Sequence, residues 1–380
     1  MCVGIEPHSR RVNPDRRHSL PPRGRFGNPS IRWTVAALVV AAIAAIVAVL
    51  LVTRPAPAPR LLVGIDDDSV KWVDRPDGPL ADYRRLGVRA VRLWIPWHGE
   101  ARPRGVTTVY LDRAEALARR GVRVVLAVFG FAQDAPTTPE TQRRYCAFAR
   151  RALARVPSAR DVVVWNEANS PAYWPSDAGP AAYAALLGRC WDALHAERGD
   201  VNVLDSTASA HDPASFLRGL GAAYRASGRT RPLVDTFGHN PYPLGTRKGI
   251  GLHDYRELLA MLRLAFADTG QPLPGEDGTT VWYLEHGVQT TVPEAKRGFY
   301  YGRESVDTLA ADEQAREVAD ALLVAACQPD VGAFFNFELV DEDRLRGWQS
   351  GLLWRDGTRK PAYAAFRRAA ETVADGDVDC

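Results

Sequence analysis

From residue 61 onward, short runs of β-branched and aromatic residues alternate with longer stretches in which Leu and Ala recur at helical spacing between arginines. The apolar runs fall at 61–65, 90–94, 122–129, 162–165, 201–204, 234–237, 281–284 and 332–337. They are nearly continuous rather than alternating, which is the pattern of strands buried on both faces of a parallel sheet. Helical stretches follow at 80–86, 111–120, 139–156, 180–198, 213–226, 255–268, 311–326 and 361–373. Eight strand–helix units predict an α/β fold closed into a (β/α)8 barrel over residues 61–380. An open doubly wound sheet is the rival, but no glycine-rich phosphate turn follows the first strand.

The segment before the barrel reads differently. Residues 34–52 are nineteen consecutive uncharged, mostly apolar positions, about 28 Å of helix and close to the hydrocarbon thickness of a bilayer. Residues 1–33 hold seven arginines against Glu6 and Asp15, so the heavier basic flank is N-terminal. The expectation is a disordered cytoplasmic tail (1–33), a single transmembrane anchor (34–52) and a stiff Pro-rich linker (53–60), with the barrel extracellular. A cleavable signal ending near Ala56-Pro57-Ala58, giving a secreted protein, is the competing reading.

With the tail set apart, the rest of the chain carries about −2 of the total charge of +3, which gives no reason to expect a nucleic-acid partner. Of five cysteines, Cys2 lies in the tail and Cys146, Cys190, Cys327 and Cys380 in the exported part. Four cysteines allow three pairings. Cys146 and Cys190 sit on consecutive helices and Cys327 ends a helix that the C-terminal Cys380 can reach, so 146–190 and 327–380 are preferred over other pairings or free thiols.

In a barrel, chemistry gathers at the C-terminal edge of the strands. Two glutamates stand there directly after buried runs: Glu167 in Trp165-Asn166-Glu167 and Glu285 in Tyr283-Leu284-Glu285. A carboxyl that donates a proton and a carboxylate that attacks are what acid-assisted cleavage of a glycosidic bond needs. Around them the strand ends collect Arg92, Trp94, Trp97, His98, Phe129, Phe131, Asn169, Ser206, Ser209, His211, His239, Asn240, Tyr242, His286, Asn336, Phe337 and Glu338. Aromatic faces and hydrogen-bonding side chains in this mixture suit a carbohydrate cleft. Asp66-Asp67-Asp68 reads as a water-facing turn cap. Two other readings stand beside this one: four histidines (His98, His211, His239, His286) holding zinc, although no pair has His-x-His or His-x-x-x-His spacing, and a barrel that binds glycan without cutting it.

The Asn-Glu pair ending strand four and the glutamate ending strand seven resemble the retaining glycoside hydrolases with (β/α)8 barrels, the clan of cellulase-like, mannanase-like and xylosidase-like families, across roughly residues 61–373. The resemblance implies that Glu167 is the acid/base, Glu285 the nucleophile and Asn166 a contact to the sugar 2-hydroxyl. It further implies that Arg92 supports the nucleophile, that Tyr242 lies close to it, that the carboxyls stand about 5–5.5 Å apart and that no cofactor is used. One departure is visible. Where the clan commonly has a tryptophan closing strand eight, this chain has Phe334-Phe335-Asn336-Phe337-Glu338, which leaves Phe337, or Trp348 from the next loop, as the platform under the sugar.

Overall fold

The computed structural model describes residues 61–73, 77–207, 213–243 and 249–380. The expected tail, anchor and linker, Cys2, Ser209 and His211 lie outside the described residues. Among the described residues no helix is long and apolar enough to cross a membrane.

Eight parallel strands form one sheet: β1 (Leu62–Asp66), β2 (Ala90–Pro96), β3 (Arg123–Phe129), β4 (Asp161–Val164), β5 (Asn202–Leu204), β6 (Phe237–His239), β7 (Val281–His286) and β8 (Val331–Phe337). Their order is β5-β4-β3-β2-β1-β8-β7-β6, and a parallel bridge between Leu204 and Thr236 brings the two edges together. The result is a nearly closed barrel. Among the described residues eight α-helices cover it: α1 (Asp77–Leu86), α2 (Val106–Ala118), α3 (Pro139–Arg155), α4 (Gly179–Glu197), α5 (Pro213–Ala226), α6 (Tyr255–Phe266), α7 (Ala311–Ala326) and α8 (Pro361–Asp375).

Local chemistry explains the element boundaries. Before α3, Thr138 and Thr141 cap each other reciprocally and Pro139 fills the first turn, satisfying donors a helix start would otherwise leave unpaired. The helix then buries Tyr145, Phe148, Ala149, Ala152 and Leu153, a stripe at helical spacing that faces the sheet. α8 ends at Gly376 with φ of 80°, a left-handed position that glycine takes without steric cost.

The seam between β5 and β6 departs from expectation. The strand expected at 234–237 is observed at Phe237–His239. Residues just before it have other backbone partners: Gln271 Oε1 accepts from the N–H of Leu233 and of Val234 at 2.8 and 3.2 Å, and the N–H of Asp235 donates to Val203 O at 2.8 Å. A side-chain amide thus stands in for a ladder. Next to it Gly238 donates to Asp205 Oδ1 at 2.7 Å, and a Cβ there would lie 2.0 Å from the Asp205 carbonyl. Glycine permits that close approach. At the opposite edge of the barrel, the buried Asp161 is held by Arg123 through two bonds of 2.7 Å and by Asn202 at 2.8 Å.

Both preferred disulfides are present, Cys146–Cys190 joining α3 to α4 with Cα atoms 4.9 Å apart, and Cys327–Cys380 with Cα atoms 5.4 Å apart. Peptide mapping without reduction should recover these two linked pairs. With its ends 44 positions apart in sequence, the 146–190 bridge should contribute about 4 kcal/mol on the loop-entropy model, seen as a lower denaturation midpoint in the Cys146→Ser/Cys190→Ser variant. Four freely alkylated thiols in native protein would contradict the pairing.

Candidate active site at the carboxyl edge of the barrel

Arg92, on β2, is the hub of the site and is 2% exposed. Its Nη1 donates to Glu285 Oε1 at 2.8 Å and also contacts Asp66 on the neighbouring β1. Its Nη2 donates to Asn166 Oδ1 at 2.9 Å. Burial works against the guanidinium charge, but Asp66 and Glu285 outweigh it and raise the arginine's pKa. Asp66, for its part, is pushed well above the usual carboxylate range by burial, against the pull of Arg92. The expectation of a water-facing Asp66–Asp68 turn is therefore corrected for Asp66, whose carboxylate points into the site. Asp67 does cap the turn, accepting from Ser69 N at 3.0 Å, but it is buried and also accepts from Tyr83 Oη.

Glu167 follows β4 on an unusual backbone. Trp165 has φ of 68° and Glu167 φ of 39°, positions in which a side chain larger than glycine costs of order 1–3 kcal/mol each. The surroundings hold them there. Trp165 N donates to Val128 O and to Tyr145 Oη at 3.1 and 2.9 Å, its indole donates to Tyr173 O at 2.9 Å, and Ala168 N donates to Ser206 O at 3.1 Å. The turn thereby ends the ladder at Val164 and puts Asn166 toward Arg92. Asn240, after β6, donates from Nδ2 to Glu167 Oε1 at 3.0 Å.

The two glutamates sit in different electrostatic settings. Glu167 is pushed up to about 7, first by burial and then by the Glu285 charge, with Asn240 and Arg92 pulling the other way. Glu285 is fixed by Arg92 on one oxygen and by Tyr242 on the other, Tyr242 Oη donating to Oε2 at 2.9 Å. Trp348 stacks on Tyr242 with ring centroids 4.8 Å apart, and Phe337 meets both rings edge-on at 6.2 and 5.3 Å. Phe337 and Trp348 thus both pack on Tyr242, the residue that binds Glu285.

The other expected site residues divide. Trp94 is at the mouth, its indole donating to Phe129 O at 3.0 Å. Trp97 is not: it is 1% exposed, packed edge-on against Tyr145 and Trp165, with its indole bound to Glu100 O. The sugar-contacting role expected of Trp97 is corrected to core filling, because no ring face is left open. His98 lies on an exposed loop 3.2 Å from Asp134 and is not brought to the carboxylates. His239 and His286 are buried, which lowers their pKa values to about 3 and about 4. Asn336 is fully buried and donates to Glu338 O at 2.9 Å. Among the described residues no group of three or more His, Cys, Asp or Glu side chains is arranged to hold a metal. Reading strand ends did not single out Asp66 or Tyr173 as site residues. Asp66 carries the same signal as the glutamates, an acid ending a buried strand, whereas Tyr173 lies in a loop that no strand pattern places.

Comparison with solved structures finds similar barrels among glycoside hydrolases. A family 39 glycoside hydrolase from the gut symbiont Bacteroides cellulosilyticus WH2 superposes with a TM-score of 0.59 at 17% identity, over 82% of this chain and 64% of that one. A GH5_18 enzyme from Bifidobacterium longum subsp. infantis gives 0.56 at 17%, over 82% and 79%. Bacteroides uniformis beta-glucuronidase 2, covalently bound to cyclophellitol-6-carboxylate aziridine, gives 0.52 at 17%, over 82% of this chain and 35% of that chain. The chain thus spans less than two thirds of the first and about a third of the last. No family model matches the sequence, and no curated protein does. At these identities the likeness establishes the eight-stranded barrel.

The hub predicts its own test. Arg92→Met should leave Asp66 and Glu285 buried without their cation and cost about 3–5 kcal/mol of stability in denaturant titration. A loss below about 1 kcal/mol would show that the guanidinium does not hold the site together.

Proposed function

We propose that the barrel is a retaining glycosidase acting on an oligo- or polysaccharide by double displacement. The observation that carries this reading is the unequal pair: Glu167 is lifted to about 7, which suits a proton donor, while Glu285 is held by Arg92 and Tyr242. Two carboxyls in unlike environments are how one site supplies acid and nucleophile together. Glu285 attacks the anomeric carbon as Glu167 protonates the departing oxygen. Covalent bonding then removes the Glu285 charge that helped raise Glu167, so Glu167, having given its proton to the leaving group, stays ionised and takes a proton from the water that releases the sugar. The covalent adduct recorded for the B. uniformis enzyme on the same fold supports a covalent step.

The pH dependence follows in sign. The donor must be protonated, so kcat/KM should fall tenfold per pH unit above about 7, the value to which Glu167 is raised. Glu167→Ala should abolish that limb. It should lose most activity on glycosides with poor leaving groups and least on activated aryl glycosides, with partial rescue by azide. Glu285→Gln should lower turnover by several orders of magnitude on every substrate. Equal losses for Glu167→Ala on both substrate types, without rescue, would remove it from the acid/base role.

For the whole chain we propose a single-pass membrane protein with the barrel outside. The basic tail before residues 34–52 supports it, as do two disulfides in the barrel, since such bonds persist in oxidising compartments. Protease added to intact cells should degrade the barrel. Complete protection until the cells are lysed would contradict the topology.

A further inference from the structure

The loops that follow β7 and β8 build a core of their own, in which Tyr300, Leu345 and Trp354 form a buried cluster separate from the barrel core. Against it lies a buried ion pair that the mechanism above leaves without a role. Lys360, just ahead of α8, meets Asp341 at 2.7 Å, and neither side chain is exposed. The ammonium stands 4.5 Å from the centroid of the Trp354 ring and also donates to Thr290 Oγ1 at 2.7 Å and to Gln349 O at 2.9 Å. Asp341 accepts in addition from Tyr300 Oη at 2.7 Å and from Gly351 N at 2.9 Å. Burial lowers the lysine's pKa and raises the aspartate's, each against the pull of the partner's charge. A buried ion pair adds little stability over well-packed apolar groups of the same volume. What this one supplies is the geometry it imposes on its neighbours.

That geometry falls on two consecutive residues. Three donors converge on Gln349 O: Lys360 Nζ at 2.9 Å, Thr290 Oγ1 at 2.7 Å and Thr290 N at 3.2 Å. The carbonyl before it, Trp348 O, accepts from Glu342 N at 2.8 Å. With both carbonyls pinned, the segment holds the Trp348 ring stacked on Tyr242, 4.8 Å between centroids and 28° between planes. Tyr242 Oη in turn donates to Glu285 Oε2 at 2.9 Å. Resting on the glycosidase reading, we propose that Lys360 is a positioning residue for the nucleophile: by fixing Gln349 it seats Trp348 on Tyr242, whose hydroxyl orients Glu285 for attack. The two oxygens of Glu285 are thus held from different sources. Arg92 reaches Oε1 from β2 of the barrel, whereas the bond to Oε2 depends on a loop core organised by a buried lysine.

Lys360→Met alone would leave the Asp341 charge buried without its cation, so the test uses Lys360→Met/Asp341→Asn in the full chain, which removes both charges and keeps an acceptor for Gly351 N. Thr290→Val, at nearly the same volume, is a milder second variant, and melting curves report whether each is folded. Substrates are the 4-nitrophenyl β-glycosides of glucose, xylose, mannose and galactose and the matching oligosaccharides. On the one that the wild type cleaves, the double variant should lose about tenfold in kcat/KM, the size expected when a hydrogen bond to a charged group is misplaced. Placed on a Tyr242→Phe background, the same pair of changes should cost less than about twofold more, because the bond they act through is already gone. Acrylamide quenching of Trp348, taken as the difference between each protein and its Trp348→Phe counterpart, should rise about twofold without reference to turnover. Wild-type kcat/KM in the folded variants, unchanged Trp348 quenching, or a tenfold loss repeated in full on the Tyr242→Phe background would overturn the positioning role while the glycosidase reading stands. Wild type inactive on every glycoside of the panel would overturn both.

Discussion

One guanidinium organises the carboxyl edge of this barrel. Arg92 is buried and binds groups from three other strand ends: Asp66 of β1, Asn166 after β4 and Glu285 of β7. Two carboxylates buried without a cation would be costly. The cation lets Glu285 stand in a closed setting, and its second amino group orients the asparagine that precedes Glu167. The unequal behaviour of the two glutamates thus begins with where the single cation is aimed. It bonds Glu285 directly and reaches Glu167 only through space, where it opposes burial and the Glu285 charge without overcoming them.

Placing Glu167 also needs a backbone that a regular strand cannot provide. Two left-handed residues, Trp165 and Glu167, turn the chain at the end of β4, and the barrel's buried hydrogen bonds maintain a conformation that would be unfavourable in isolation. Tyr145 does this from α3, donating to Val128 O while accepting from Trp165 N. The same helix carries Cys146. The disulfide, the tyrosine and the strained turn therefore lie along one path from the outer helices to Glu167, which links the stability of the scaffold to the geometry of the site.

Much of this was legible in the chain. Eight apolar runs separated by amphipathic stretches give the barrel because parallel strands need apolar residues on both faces, and a glutamate directly after such a run has one place to go. The 146–190 pair followed from which helices are consecutive, and 327–380 from the reach of the C-terminus to the end of the helix that Cys327 closes. Other features depend on contacts that periodicity does not encode. The start of β6 is displaced because Gln271, distant in sequence, occupies the backbone groups of Leu233 and Val234. Trp97 resembles a cleft tryptophan in sequence, but its ring packs in the core against Tyr145 and Trp165. Asp66 was masked by its neighbours, since a run of three aspartates has the composition of a turn while its first member still ends a buried strand. Trp348 reaches Tyr242 from a loop whose path no local pattern fixes.

The proposed double displacement requires Glu285 to form a covalent bond to the sugar. Incubation with a 2-deoxy-2-fluoro glycoside bearing a good leaving group, matched to the sugar the enzyme cleaves, should arrest the reaction at the intermediate. Mass spectrometry should then find one fluorosugar on the peptide containing Glu285. Label on another residue would contradict the assignment, and turnover with inverted anomeric configuration and no adduct would contradict the double displacement itself.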